Sequence, residues 1–323
     1  PLFVWMGEIL FRTKLSENLF KGLSPWMQKL PGGLIHVNVV GCALFAAISG
    51  SSAATVATVG KMSIPELRKR NYPEKILLGS LAGSGTLGLL IPPSIILIIY
   101  GVAVQESIAK LFIAGIIPGI MIALIFMSYV VIWSLINKKE MPQILEEYSF
   151  FEKIKRSKQL LPVILLITSV IGSIYTGVAT ATEAASLGVV GALILSYFQS
   201  SLTLETFKSS LLGATKTSCM IAFILAGSTF LSLAMGFTGL PRNLAVWIQN
   251  MNLSPYLLIL VLMIFYIILG MFLDGISAVV LTMAIIEPMI RQAGFDMIWF
   301  GIFLVIVVEM AQITPPVGFN LFV

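Results

Sequence analysis

FAAISGSSAATVATV at 45–59 and GTLGLLIPPSI at 85–95 are answered later in the chain by MFLDGISAVVLTM at 271–283 and EMAQITPPVGF at 309–319. In each pair a polar turn of the form Ser/Asp–Gly–X–Ser–Ala interrupts an apolar run, and a Pro–Pro interrupts a later one. Ser49 aligns with Asp274, Gly50 with Gly275, Ser52 with Ser277, Ala53 with Ala278, and Pro92–Pro93 with Pro315–Pro316. The proline pair follows the turn by 43 residues in the first half (Ser49 to Pro92) and by 41 in the second (Asp274 to Pro315).

The rest of the chain sets these turns in a bilayer. Of 323 residues 58% are hydrophobic and 11% charged, with mean hydropathy +0.99, against roughly 25% charged in a soluble domain. Runs at 111–136, 160–176, 184–199, 213–236 and 256–273 approach or reach the about 20 residues a helix needs to cross the hydrocarbon core. The expected fold is an all-α polytopic membrane protein. Cys42 and Cys219 lie in apolar stretches and read as buried small hydrophobes, not a disulfide or metal site. The single histidine, His36, argues against a histidine-rich metal centre. Both ends, Pro1 and Val323, fall in apolar helix-like sequence and read as cut from a longer protein.

Charge gives the orientation. The topology expected has 1–11 crossing inward and a re-entrant hairpin at 34–60 returning to the same side. Then 75–103 crosses outward, 111–136 inward, 160–176 outward, 181–199 inward and 213–236 outward. A second hairpin at 256–290 enters from outside, and 298–323 heads inward. This places 17 of the 20 Lys and Arg on the cytoplasmic side and leaves Lys110, Arg242 and Arg291 outside, the bias that positive-inside topology requires. Were either hairpin a single crossing, every later segment would flip and the bias would degrade. The net charge of +5 is thus a matter of sidedness and gives no reason to invoke nucleic acid. The polar stretch 137–159 reads as an amphipathic helix on the cytoplasmic interface.

Two halves with paired interruptions, placed in opposite orientations, point to a transporter site near the bilayer midplane. A proline lacks an N–H and breaks the turn before it, and bare carbonyls at membrane depth cost several kcal/mol each unless satisfied. A sodium ion, which prefers oxygen ligands, can satisfy several. Ser49, Ser51 and Ser52 can add hydroxyl ligands in the first half, and Asp274, Ser277 and Thr314 in the second. Helix N-termini at the turns can hold an anionic carboxylate. Singly, Pro–Pro reads equally as a kink and SGSSAA as a packing surface; their pairing, with Asp274 inside the membrane, favours a binding site. Glu183 reads as a helix-start residue capped by Thr180 or Thr182. Glu309 faces either the ion region or neighbouring helices, and Glu287 belongs at the outer mouth of the second hairpin.

AAISGSSAAT at 46–55, GTLGLLIPPSI with YGV at 100–102, LFIAGIIPG at 111–119, TATEAASLGVVGALIL at 180–195, and MFLDGISAVVLTM with QITPPVGFNLFV resemble the large membrane subunit of TRAP transporters, the DctM-like permease family. The resemblance spans nearly the whole chain. It implies a sodium-coupled elevator that imports small organic anions such as C4-dicarboxylates, sialic acid or sugar acids across the bacterial inner membrane, and not an enzyme. It implies a small DctQ-like membrane subunit and a periplasmic substrate-binding protein as partners, with sodium as coupling ion and no cofactor. The matched motifs assign a first sodium site to Ser49, Gly50, Ser51 and Ser52 with backbone at Gly85, Gly88 and Pro92. They assign a second to Asp274, Gly275 and Ser277 with Thr314 and Pro315. Substrate is expected between the hairpin tips, near Ser51, Thr86, Pro93, Ile276 and Pro316. The implied organisation is a scaffold helix end and linker at 1–33, a first transport region at 34–107 (hairpin 34–60, broken helix 75–103), scaffold helices at 108–255, and a second transport region at 256–323 (hairpin 256–290, broken helix 298–323).

Two other readings compete. One is a self-sufficient sodium/carboxylate symporter without a binding protein. The other is an intramembrane hydrolase with Ser49 or Ser52 as nucleophile, whose nearest histidine, His36, lies about three to four helical turns away.

Overall fold

Backbone polar groups in a bilayer have to be satisfied within the chain, and this chain meets that demand with helices and deliberate caps. A computed structural model describes all residues except 14, 143–147, 240–242, 244–253 and 323. The orientations expected for Lys14 and Arg242, the middle of the 137–159 arm and the last residue of the 298–323 segment lie outside the described residues. The helices are α1 (Leu2–Phe11), α2 (Leu15–Met27), α3 (Ile35–Ser49), α4 (Ser52–Lys69), α5 (Glu74–Gly85), α6 (Leu87–Leu90), α7 (Ile95–Ala103) and α8 (Ile108–Ile136). They continue with α9 (Phe150–Ser157), α10 (Leu161–Tyr175), α11 (Ala181–Phe198), α12 (Leu204–Thr238), α13 (Pro255–Gly270), α14 (Gly275–Gln292) and α15 (Met297–Gln312), with short 3-10 turns at Lys138–Glu140 and Phe319–Leu321.

Among the described residues, five helical segments are long and apolar enough to cross a membrane: Glu74–Ala103, Ile108–Ile136, Ala181–Phe198, Leu204–Thr238 and Gly275–Gln292. A sixth arises if α9 and α10, bent by 56° at their junction, count as one span. The chain is a polytopic, all-helical membrane protein. Ser51, Ser94, Ser107, Thr180, Thr203, Ser254, Asp274 and Asp296 each cap the helix that follows by accepting a backbone N–H. A capped start removes one of the orphan donors that lipid cannot solvate.

Several elements differ from the sequence expectation. The second arm of the first hairpin does not stop at 60. It runs as one helix to Lys69 through Pro65, because Leu67 is buried and the carbonyl the proline leaves free belongs to the exposed Lys61. The linker within 1–33 holds helix α2, which buries Leu19, Phe20 and Leu23. Trp26 at its end donates to Ser157 Oγ at 2.7 Å and meets Phe150 edge-on, so α2 pairs with α9. The crossing expected at 213–236 begins earlier, where Thr203 accepts from Thr206 N–H at 3.0 Å, and Lys208 and Lys216 lie inside α12. Cys219, expected to be buried, is exposed while Cys42 is buried, and both are free. The polar residues of α12 are not gathered on one face, so an apolar residue on it carries no sign of which side meets protein.

Packing divides along the chain. Helix α3 lies against α4 and α5, and α1 lies mainly against α11 and α12. Gly7 lets α1 also approach the end of α3; a methyl there would stand 3.3 Å from Ser49 Cα. Helix α15 packs on α13, α14, α8, α6 and α7, and Tyr100 on α7 donates to Met297 O at 2.6 Å. Arg291, on α14, bonds Glu287 at 2.9 Å and Val104 O at 3.0 Å. Tyr266 Oη and Thr282 Oγ1 join α13 to α14 at 2.6 Å. Tyr266→Phe is expected to cost about 1 kcal/mol, one net hydrogen bond, since Thr282 keeps its bond to Ala278 O at 2.7 Å. Thermal unfolding in detergent checks this.

Candidate functional site

The first turn is built from hydroxyls whose protons already have acceptors. Helix α3 ends at Gly50 in the left-handed conformation, φ +59°, with its N–H on Ala46 O at 3.1 Å. Ser51 then extends the chain and caps α4. Ser49 Oγ lies 2.8 Å from Thr55 Oγ1 and donates to Ser51 O at 3.2 Å, while Thr55 Oγ1 donates to the same carbonyl at 2.7 Å.

The proline break comes back to this turn. Ile95 N–H, just past Pro92–Pro93, donates to Gly50 O at 3.2 Å. A methyl on Gly50 would stand 2.6 Å from Pro93 O, and one on Gly88 would stand 2.5 Å from Ser51 O and 2.8 Å from Thr55 Oγ1. Gly85 admits Val56 in the same way. Ser49, Gly50, Ser51, Gly85, Gly88 and Pro93 therefore converge, with Pro92 buried beside them. Thr86 does not aim its proton at the turn: its hydroxyl donates to Gly83 O at 2.7 Å. A cavity of about 300 Å³ opens beside the turn, lined by Ser49, Ser51, Thr217 and Glu8, the last ion-paired with Arg12.

The second turn follows the same plan with a carboxylate. Asp274 caps α14: Oδ2 accepts from the N–H groups of Ile276 at 3.0 Å and Ser277 at 3.1 Å, and Oδ1 accepts from Ser277 Oγ at 2.5 Å. Val317 N–H, just past Pro315–Pro316, donates to Met271 O at 3.3 Å, so this break also returns to its own turn. Both Pro–Pro bonds are cis. Thr314 turns its hydroxyl to Met310 O at 2.6 Å, and Pro315 and Pro316 are exposed.

The halves meet at these points. Ser52 Oγ donates to Gln312 Oε1 at 2.9 Å. Gly275 lies against Ile96, where a methyl would come within 3.2 Å of Ile96 Cδ1. The first turns of α4, α7 and α14 consequently face one region, each bringing the partial positive charge of a helix N-terminus.

Glu183 reaches back to the Thr180 N–H at 2.8 Å while Thr180 Oγ1 accepts from Glu183 N–H at 3.3 Å. Of the two expected caps Thr180 is the one used. Glu309 Oε1 and both amide atoms of Asn320 are buried without a hydrogen-bond partner. Thr55, Gln312 and Asn320 escaped the sequence reading of the site. Thr55 carried a signal, four residues after Ser51 on one helix face; the other two are lone polar residues in apolar surroundings. His36 bonds Pro31 O at 2.8 Å at the far end of α3, about 20 Å of helix from Ser49. Among the described residues Ser49 bonds Thr55 Oγ1 and the Ser51 backbone, and Ser52 bonds Gln312, so no histidine or carboxylate is hydrogen-bonded to either hydroxyl, and the geometry does not support the hydrolase reading.

Comparison with known proteins agrees with the membrane reading. A family profile described as "Tripartite ATP-independent periplasmic transporter, DctM component" matches residues 1–323. The C4-dicarboxylate TRAP transporter large permease protein DctM of Pseudomonas aeruginosa is 34% identical over 324 residues, covering 100% of this chain and 75% of that protein. The isethionate TRAP transporter permease protein DctMQ of Oleidesulfovibrio alaskensis is 32% identical over 327 residues, 100% of this chain and 51% of that protein. The sialic acid TRAP transporter large permease protein SiaM of Vibrio cholerae is 31% identical over 326 residues, 100% and 75%. The chain belongs to the DctM component family of tripartite ATP-independent periplasmic transporters, and is a membrane permease and not an enzyme.

Proposed function

We propose that this permease imports a small organic anion across the bacterial inner membrane in symport with sodium, by an elevator movement of the region carrying both turns. The observation that carries the reading is the meeting of three helix N-termini beside hydroxyl- and carbonyl-lined turns. N-termini favour a carboxylate, and turn oxygens favour a hard monovalent cation. In this reading Ser49–Ser52 with Gly85, Gly88 and Pro92 hold one sodium, and Asp274–Ser277 with Thr314 and Pro315 hold another. The anion lies between the tips, near Ser51, Thr86, Pro93, Ile276 and Pro316.

First-arm lengths support re-entrant hairpins. The first arms of the two hairpins, α3 and α13, have 15 and 16 residues, about 22–24 Å of rise and short of the roughly 30 Å hydrocarbon core, whereas the return arms α4 and α14 have 18 each and α14 is long enough to cross by itself. The hairpins at α3–α4 and α13–α14 then enter from opposite faces, as the charge bias asks. The cargo is a carboxylate of the C4-dicarboxylate or sialic acid kind, the substrates named for two of the relatives. The relative whose name joins DctM and DctQ favours a small DctQ-like subunit here, and the family favours a periplasmic binding protein over a self-sufficient symporter.

The test is uptake into proteoliposomes holding the permease and its small subunit, supplied with cargo-loaded binding protein. Uptake is expected with an inward sodium gradient and not with potassium. Ser52→Ala is expected to raise the half-saturating sodium concentration about fivefold, the loss of one oxygen contact. Equal uptake in potassium, or an unchanged sodium curve in Ser52→Ala, would sink the reading.

A further inference from the structure

Gln312 occupies the junction of the two halves and has no task in the scheme above. It is 3% exposed. Its Oε1 accepts the Ser52 hydroxyl proton at 2.9 Å, and a methyl on Gly275 would come within 2.9 Å of its Nε2. The amide therefore stands between the first residue of α4 and the first residue of α14.

A serine hydroxyl carries one proton and two lone pairs, and a cation is bound only by the lone pairs. At the first turn Thr55 delivers its proton to Ser51 O at 2.7 Å, and Ser49 Oγ lies 3.2 Å from the same acceptor. Those acceptors come from the first half itself. Ser52 instead sends its proton across to the second half, to a residue 260 positions away.

We infer that Gln312 is a positioning residue that holds the Ser52 proton and so turns the Ser52 oxygen toward the first cation site, an assignment that rests on the sodium-coupled reading above. Gln312 lies three residues before Pro315, at the edge of the second break, and against Gly275 of the second turn. Filling the second site restrains the acceptor on which the first site depends. The two occupancies are linked, and linkage is reciprocal: sodium activates uptake cooperatively, and the cooperativity passes through this amide.

The experiment measures the sodium dependence of uptake in the full permease with its small subunit and binding protein, in proteoliposomes, for wild type, Ser52→Ala, Gln312→Leu, Gln312→Asn, Gln312→Glu and Ser52→Ala/Gln312→Leu. Gln312→Leu keeps the volume and removes the acceptor. It is expected to raise half-saturating sodium about fivefold and to bring the Hill coefficient toward one. Gln312→Glu still accepts the Ser52 proton and is expected to keep half-saturating sodium at or below that of wild type, which a purely packing role would not produce. Gln312→Leu is expected to add nothing to Ser52→Ala, since both remove one interaction. Gln312→Asn withdraws the amide by one methylene and is expected to behave as Gln312→Leu, so the outcome does not hang on the leucine variant folding. A wild-type sodium curve in Gln312→Leu or Gln312→Asn, or additive effects in the double variant, beside a shifted Ser52→Ala, overturns the role of Gln312 alone. An unshifted Ser52→Ala overturns the sodium site as well.

Discussion

Gly50→Ala is expected to cut uptake severely while leaving a membrane-inserted protein. Two independent penalties fall on that single methyl. The residue holds φ +59°, a left-handed conformation that costs a non-glycine residue roughly 1–2 kcal/mol. The added carbon would also stand 2.6 Å from Pro93 O and 3.3 Å from Ile95 N. These are backbone atoms of the proline break and cannot rotate away, so overpacking adds roughly 1–3 kcal/mol. The chain relieves this by moving the break off the turn, which breaks the Ile95 N–H bond to Gly50 O and separates the carbonyls from the hydroxyls. Uptake should fall by about thirtyfold or more, since the two penalties together come to roughly 2–5 kcal/mol at tenfold per 1.4 kcal/mol. Size-exclusion behaviour in detergent should stay close to that of wild type. Substantial remaining uptake would show that the turn and the break need not touch.

The duplicated parts of this architecture were legible because the two halves repeat them. Gly50 and Gly275, Ser52 and Ser277, and the two Pro–Pro pairs are the same residues at nearly the same spacing. In the structure each break bonds back to its own turn, through Ile95 in one half and Val317 in the other. What the halves do not share was invisible to comparison. Counting back from the proline pair, Gln312 aligns with Leu89; counting forward, Asn320 aligns with Leu97. A polar residue with an apolar counterpart has no pattern to announce it, and the importance of Gln312 emerges only when folding brings Ser52 to it. Helix α2 was missed for a different reason. Its apolar residues are interleaved with charged and polar ones, which in a chain this hydrophobic reads as a linker until Leu19, Phe20 and Leu23 are seen buried. Cys219 shows the converse: hydropathy places α12 in the bilayer but says nothing of which side faces protein.

Asp274 has a structural role as a helix cap and a proposed one as a cation ligand, and substitution can separate them. As the cap of α14 it accepts two backbone N–H groups and one hydroxyl. Asp274→Ala removes all three bonds, leaves donors bare at membrane depth, and is expected to cost about 2 kcal/mol, the upper end of the capping range. Asp274→Asn keeps a side-chain oxygen for the N–H groups, and asparagine caps about as well as aspartate, so thermal unfolding in detergent should stay within about 0.5 kcal/mol of wild type. What the asparagine variant lacks is the negative charge. If the carboxylate neutralises a cation at the second site, half-saturating sodium should rise about tenfold or more in that variant, because a bond to a charged group contributes about 1.5–3 kcal/mol. Uptake at saturating sodium should recover in part. Were Asp274 a cap only, Asp274→Asn would titrate with sodium as wild type does while Asp274→Ala lost stability. That pairing of results would leave the second turn a structural copy of the first, with the carboxylate serving the helix and the cation held on one side alone.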